Sequence, residues 1–234
     1  MTTGTMPRSI ANSRWTADRI RASAMFPALS DVFIVPPIVD AAYSGQTSEP
    51  NLREELGIAP GRSLIGLGAR SLTDDSKGIL QFLKQLEQFP KLASSVTVLL
   101  FGDGELATPH ALDCRCLGPV ADPSKLARVY RACDVFVSPS RMETFGMTLL
   151  EAQACGTPVV GFRVGGAAEA VYAGDTDNLV KINDFPAMLS LIAKLVTASQ
   201  KQQRADSLAS NWVWTHFSAA TVGRVQREIY ETSF

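Results

Sequence analysis

Residues 140–156 read SRMETFGMTLLEAQACG, and two carboxylates, Glu143 and Glu151, stand eight positions apart around the Phe145–Gly146 pair. A carboxylate accepts hydrogen bonds from neighbouring hydroxyls, and a helix start offers free amides to an anion. Met147, Leu149, Leu150 and Ala154 are apolar at helical spacings, Gly156 suits a C-terminal cap and Pro158 prevents continuation. A helix is therefore predicted over Met147–Ala154, beginning near Gly146. Upstream, DVFVSPS (134–140) reads as a short buried strand ending in a loop, which places Glu143 between strand and helix. The amides of Phe145, Gly146 and Met147 then face the same crevice. A carboxylate beside that anion-binding end would repel a phosphate, so it serves an uncharged group, and a sugar joined to a phosphate meets both requirements. From these two residues alone, the alternative that Glu143 caps the helix and Glu151 is a solvated helix residue stays open.

Other loops carry the cations and glycines such a ligand needs. GARSLTDDSKG contains Arg70 and Lys77, able to clamp a diphosphate, with Gly78 allowing close backbone approach; Lys77 reads equally as a helix-face charge. FGDGEL supplies Gly102 and Gly104, which suit either phosphate approach or ordinary turn chemistry. Four cysteines, Cys114, Cys116, Cys133 and Cys155, lack metal or disulfide spacing and read as buried thiols, and His110 and His216 are far apart in sequence.

The elements that position these residues alternate in type. Strands are expected at 63–69, 95–102, 114–118, 134–139, 157–162 and 178–180, with helices over 77–89, 124–133, 147–154 and 166–171. That alternation predicts an α/β fold, a Rossmann-like parallel sheet flanked by helices, with ligands at the carboxyl ends of the strands. The 234 residues are 46% hydrophobic and 19% charged, with 22 basic against 23 acidic side chains, as expected of a globular chain. No basic stripe points to nucleic acid, and no apolar run suits a transmembrane segment or signal peptide. A cytoplasmic protein is expected, with room for peripheral membrane contact.

The stretch SPSRMETFGMTLLEAQACGTPVVGFRVGGAAEAV resembles the E-x7-E motif and its continuation in the retaining glycosyltransferases of two-domain GT-B architecture, specifically family 4. The resemblance extends back to GLGARSLTDDSKG and LLFGDGEL and covers roughly residues 55–230. It implies one GT-B half and transfer of a sugar from a nucleotide-diphosphate donor to a hydroxyl acceptor with retention, in glycan or polysaccharide biosynthesis. Carried over by position, Glu143 would bind donor-sugar hydroxyls, Glu151 the ribose, and the Phe145, Gly146 and Met147 amides the sugar phosphate. Arg70 and Lys77 would hold the diphosphate leaving group, and the Leu117–Val120 loop would pass near the base.

The resemblance also implies that residues 1–40 are a remnant of an amino-terminal acceptor domain and hinge, with Pro36 and Pro37 opening the linker. Residues 41–234 would be the donor domain with its carboxy-terminal helices. With most of the acceptor half missing, a partner chain or self-association is expected to complete the protein. No metal or other cofactor is expected, because cations and a helix end neutralise the diphosphate. A non-catalytic nucleotide-sugar module is the alternative. A nicotinamide enzyme would want G-x-G-x-x-G where this chain has GLGARS.

Overall fold

The computed structural model describes residues 9–24, 31–45, 51–198 and 208–233. In chain order the elements are β1 (Ser9–Ala11), α1 (Arg14–Arg21), β2 (Val32–Ile34), α2 (Leu52–Glu55), β3 (Ser63–Ser71), α3 (Ile79–Glu87), α4 (Pro90–Ala93), β4 (Val96–Asp103), β5 (Cys114–Cys116), α5 (Pro123–Ala132), β6 (Val135–Ser138), α6 (Met147–Ala154), β7 (Val159–Phe162), α7 (Ala167–Ala170), β8 (Leu179–Val180), α8 (Phe185–Ala198), α9 (Leu208–Phe217) and α10 (Ala219–Ser233). Short 3-10 turns occupy Ala41–Tyr43, Asp75–Lys77 and Ala173–Asn178.

The main sheet has six parallel strands in the order β5-β4-β3-β6-β7-β8. The chain runs outward from β3 to β5, then returns to the other side of β3 and runs outward again. Strand order therefore reverses between β3 and β6, and the loops leaving their carboxyl ends diverge to open a crevice. Asp134 ties the opposite end shut: its carboxylate accepts from the Leu64 amide at 2.7 Å and from the Arg53 guanidinium at 3.0 Å, fixing β3 beside β6.

Both faces of the sheet are covered, which explains its continuous apolar runs. Successive side chains point to opposite faces, so Leu64, Leu99 and Phe136 pack with Tyr130 and Leu149 on one side. Ile65, Leu100 and Val137 pack with Phe82, Leu83 and Met188 on the other. The six expected strands of this sheet all form. Helix α6 has the expected bounds.

The structure differs from the sequence reading at several points, short helices α2 and α4 among them. Helix α3 starts at Ile79 instead of Lys77, because left-handed Gly78 (φ 66°) separates it from the preceding 3-10 turn. Cys133 and Cys155 are buried, but Cys114 is only partly so and Cys116 is exposed, because β5 is an edge strand paired only with β4. Burial pushes the Cys114 thiol up to about 11. Helix α8 and strand β1 were not anticipated, and both form.

The N-terminal segment makes a small β-α-β unit in which β1 and β2 pair in parallel around α1. Within the expected last helix and strand, residues 25–30 lie outside the described residues. Ser13 caps α1 by accepting from the Thr16 amide at 3.0 Å, and its hydroxyl donates to the Thr144 carbonyl at 2.9 Å. The Glu169 carboxylate of α7 accepts from the Arg14 and Trp15 amides at 2.8 and 3.0 Å, completing the helix start from across the fold. Behind the crevice, α9 packs on α6, where Ser210 and Trp214 both donate to the Ala154 carbonyl, and Phe217 stacks edge-on against Phe145.

Candidate functional site

The crevice contains two adjoining cavities that share Ala69, Arg70 and Thr148. The first, of about 230 Å3, is built by the loop from β6 into α6 and the turn before α3. Glu143 projects from that loop and accepts a 2.9 Å hydrogen bond from Lys77 Nζ, so carboxylate and ammonium form a partly buried ion pair. Lys77 thus lifts the objection to placing a carboxylate beside an anion site, since Glu143 arrives with its counter-charge. The capping role weighed for Glu143 is not the one formed: α6 begins at left-handed Gly146 (φ 105°) with no side-chain cap. The Leu149 amide already donates to the Gly146 carbonyl at 3.1 Å, whereas the amides at the very start of a helix have no intrahelical acceptor, and Phe145, Gly146, Met147 and Thr148 all line this cavity.

A close backbone approach fixes the Glu143 loop. The Gly166 amide donates to the Glu143 carbonyl at 3.1 Å, while Gly165 adopts φ 53° in a space with no room for a side chain. Asn12 and Pro37 of the N-terminal segment contribute the facing wall.

The second cavity, of about 330 Å3, extends toward the β4 and β5 loops. Glu151 lies on its wall one turn along α6, and its carboxylate accepts from the Tyr130 hydroxyl at 2.8 Å. It is not the solvated helix residue of the alternative reading. Desolvation pushes its pKa above the usual carboxylate value, while hydrogen bonds from Tyr130 and Tyr43 pull the other way. Desolvation and this carboxylate in turn raise both phenols.

Arg70, exposed at the end of β3, borders both cavities. Gly102 lines the second with φ 142°, and a side chain there would meet the Ala69 carbonyl at 2.0 Å. Val120 lines it too. Two expected residues lie elsewhere. Gly104 faces Thr73, and its amide bonds the Asp103 carboxylate; Leu117 continues the sheet ladder to the Leu100 carbonyl and packs on the core. Sequence reasoning missed Tyr43, Tyr130, Asn12 and Thr148. Of these only Thr148 sits inside the motif that drew attention to the site. Among the described residues, no group of three or more His, Cys, Asp or Glu is placed to hold a metal ion, and no helix is long and apolar enough to cross a membrane.

Residues 63–198 match the family model described as glycosyl transferases group 1. The chain is 36% identical over 205 residues to the D-inositol 3-phosphate glycosyltransferase of Actinosynnema mirum, an alignment covering 80% of this chain and 49% of that protein. It thus spans about half the length of that relative. Among solved structures, HepE from Anabaena, determined in complex with UDP-glucose, matches with a TM-score of 0.72 at 26% identity, over 95% of this chain and 62% of HepE. Sucrose-phosphate synthase from Thermosynechococcus elongatus matches with a TM-score of 0.78 over 96% of this chain and 58% of that one, at an identity of 21% that speaks to fold alone. Glu143 and Glu151 stand on the loop and helix that follow the fourth strand of an α/β sheet, and the chain belongs to the group 1 glycosyl transferases.

Proposed function

We propose that this chain binds a uridine diphosphate sugar and supplies the donor half of a sugar transfer to a hydroxyl acceptor, with retention of anomeric configuration, as in family 4. The observation that carries the reading is the pair of adjoining cavities, one holding the Glu143–Lys77 pair and the α6 amides, the other Glu151. A nucleotide sugar has matching parts. The sugar hydroxyls fall to Glu143, the diphosphate to Lys77, Arg70 and the α6 amides, and the ribose to Glu151. Val120, on the wall of the second cavity, flanks the base in this reading. Uridine is favoured over guanosine because HepE binds UDP-glucose. D-inositol 3-phosphate is the first acceptor to test, from the name of the aligned relative. In this reading fixed cations and dipoles stabilise the leaving diphosphate, and no metal is required of the protein.

Titration of the purified chain with UDP, UDP-glucose and their guanosine counterparts tests the assignment. Glu151→Ala is expected to weaken UDP and UDP-glucose alike by roughly ten- to a hundredfold, the loss of a hydrogen bond to a charged group. Glu143→Ala should weaken UDP-glucose more than UDP. Equal losses for both ligands would refute the sugar role of Glu143, and unchanged affinity in a folded Glu151→Ala protein would remove the ribose role.

A further inference from the structure

Helix α5 presents one polar atom to the second cavity from an otherwise apolar surface, the Tyr130 hydroxyl. Its ring is wholly buried, edge-on to Phe101 at 5.7 Å and to Phe136 at 5.2 Å and tilted against Tyr43 at 6.1 Å. The Thr157 hydroxyl donates to the Tyr130 carbonyl at 2.7 Å, so backbone and ring are both held. A phenol fixed this way cannot follow a wandering carboxylate. Its 2.8 Å bond to Glu151 Oε2 leaves the carboxylate with acceptor capacity for a ligand, in an orientation set by the aromatic cluster.

Resting on the ribose role of Glu151, we propose that Tyr130 is a positioning residue for nucleotide binding, aiming the Glu151 carboxylate at the ribose diol, with Tyr43 as a second support. Tyr43 lies in the 3-10 turn that follows the Pro36–Pro37 linker, beside the same carboxylate, and Arg131 donates to its carbonyl. The aim of Glu151 is thereby tied to the segment joining the N-terminal unit to the sheet.

Tyr130 of α5 and Tyr43 of the linker hydrogen-bond this carboxylate, and its charge bears on Cys155 at the end of α6; Asp40 bears on Tyr43, Arg131 on Cys155, and Arg70 lines the same cavity. Burial raises its pKa and the two phenols oppose that rise, so removing one phenol moves it further up. The ionised form is the better acceptor for a diol. Its protonation on the acid side should therefore weaken binding at a higher pH in the variant than in the parent protein.

The test is Tyr130→Phe in the full chain, which keeps the ring and removes only the hydroxyl. Affinity is measured across pH for UDP and for 2′,3′-dideoxy-UDP, which lacks the ribose hydroxyls, with thermal unfolding recorded alongside. The parent protein should prefer UDP, and the variant should lose roughly tenfold of that preference while its acid limb moves to higher pH. A folded variant with full preference and an unmoved limb would overturn the positioning role. A parent protein that does not distinguish the two nucleotides would instead overturn the ribose role of Glu151, and this proposal with it. Should Tyr130→Phe not fold, Tyr43→Phe is put through the same measurements, with a smaller loss of preference expected and an unchanged profile overturning the proposal.

Discussion

Gly165→Ala is expected to destroy donor binding while leaving the chemistry of every ligand-facing side chain untouched. A side chain at this position would lie 1.6 Å from the Glu143 carbonyl oxygen, on a backbone with φ 53°. Neither partner can give way cheaply, because the contact is to main chain and the next residue holds the same carbonyl by hydrogen bond. The loop carrying Glu143 must move, breaking its pairing with Lys77 and displacing the start of α6. Gly57→Ala, at the end of α2, is the matched control, also left-handed at φ 64° but with open space around the added atom. The control should show the conformational cost alone, about 1–2 kcal/mol. Gly165→Ala should exceed about 4 kcal/mol, the range that marks a named structural conflict. Thermal unfolding and UDP-glucose titration read both effects. Equal stability for the two variants, with donor affinity retained in Gly165→Ala, would show that the loop has slack the close approach denies.

The second large effect concerns turnover. The 234-residue chain, purified by itself, is expected to bind UDP-glucose yet transfer glucose far more slowly than the full-length glycosyltransferases it aligns with. In the proposed reading the donor is held by loops of the sheet, but an acceptor hydroxyl has to be held against the anomeric carbon with water kept out. Correct placement of that kind accounts for about 7–11 kcal/mol of barrier lowering. Among the described residues, the facing wall of the Glu143 cavity from the N-terminal segment consists of Asn12 and Pro37. A transfer and hydrolysis assay on monodisperse protein decides the matter. Brisk turnover by a monomer would mean that those two residues and the sheet suffice. Activity appearing only with self-association or an added partner chain would locate the acceptor wall on a second molecule.

What the sequence disclosed, and what it hid, follows from the range of the forces involved. The α6 bounds were legible because Gly146, Gly156 and Pro158 act on neighbouring backbone, and the six strands of the main sheet because burial on both faces leaves continuous apolar runs. Helix α8 was hidden by its own burial. FPAMLSLIAKLVTA is apolar on so many sides that the 3.6-residue period fades. Strand β1 is three residues long and is defined by its partner β2, twenty-three positions away. At the site, Glu143 and Lys77 were each identifiable by type and loop, but their pairing spans 66 positions and no local pattern encodes it. The same holds for Tyr43, Tyr130 and Glu151, which come from three separate elements. Gly104 was placed at the site by its residue type in a glycine turn and Leu117 by analogy of position, and the direction each faces is decided by packing around β4 and β5.

The Glu169 carboxylate that closes the start of α1 also turns two backbone protons into a gauge. The amides of Arg14 and Trp15 are sheltered only while the N-terminal unit sits against α7, and they exchange with solvent deuterium once it lifts. Ser13, their immediate neighbour, grips the Thr144 carbonyl next to Glu143, so loading the cavity with UDP-glucose should slow both clocks together. Their rates would then report occupancy of the crevice from a helix end, with no turnover needed to read it.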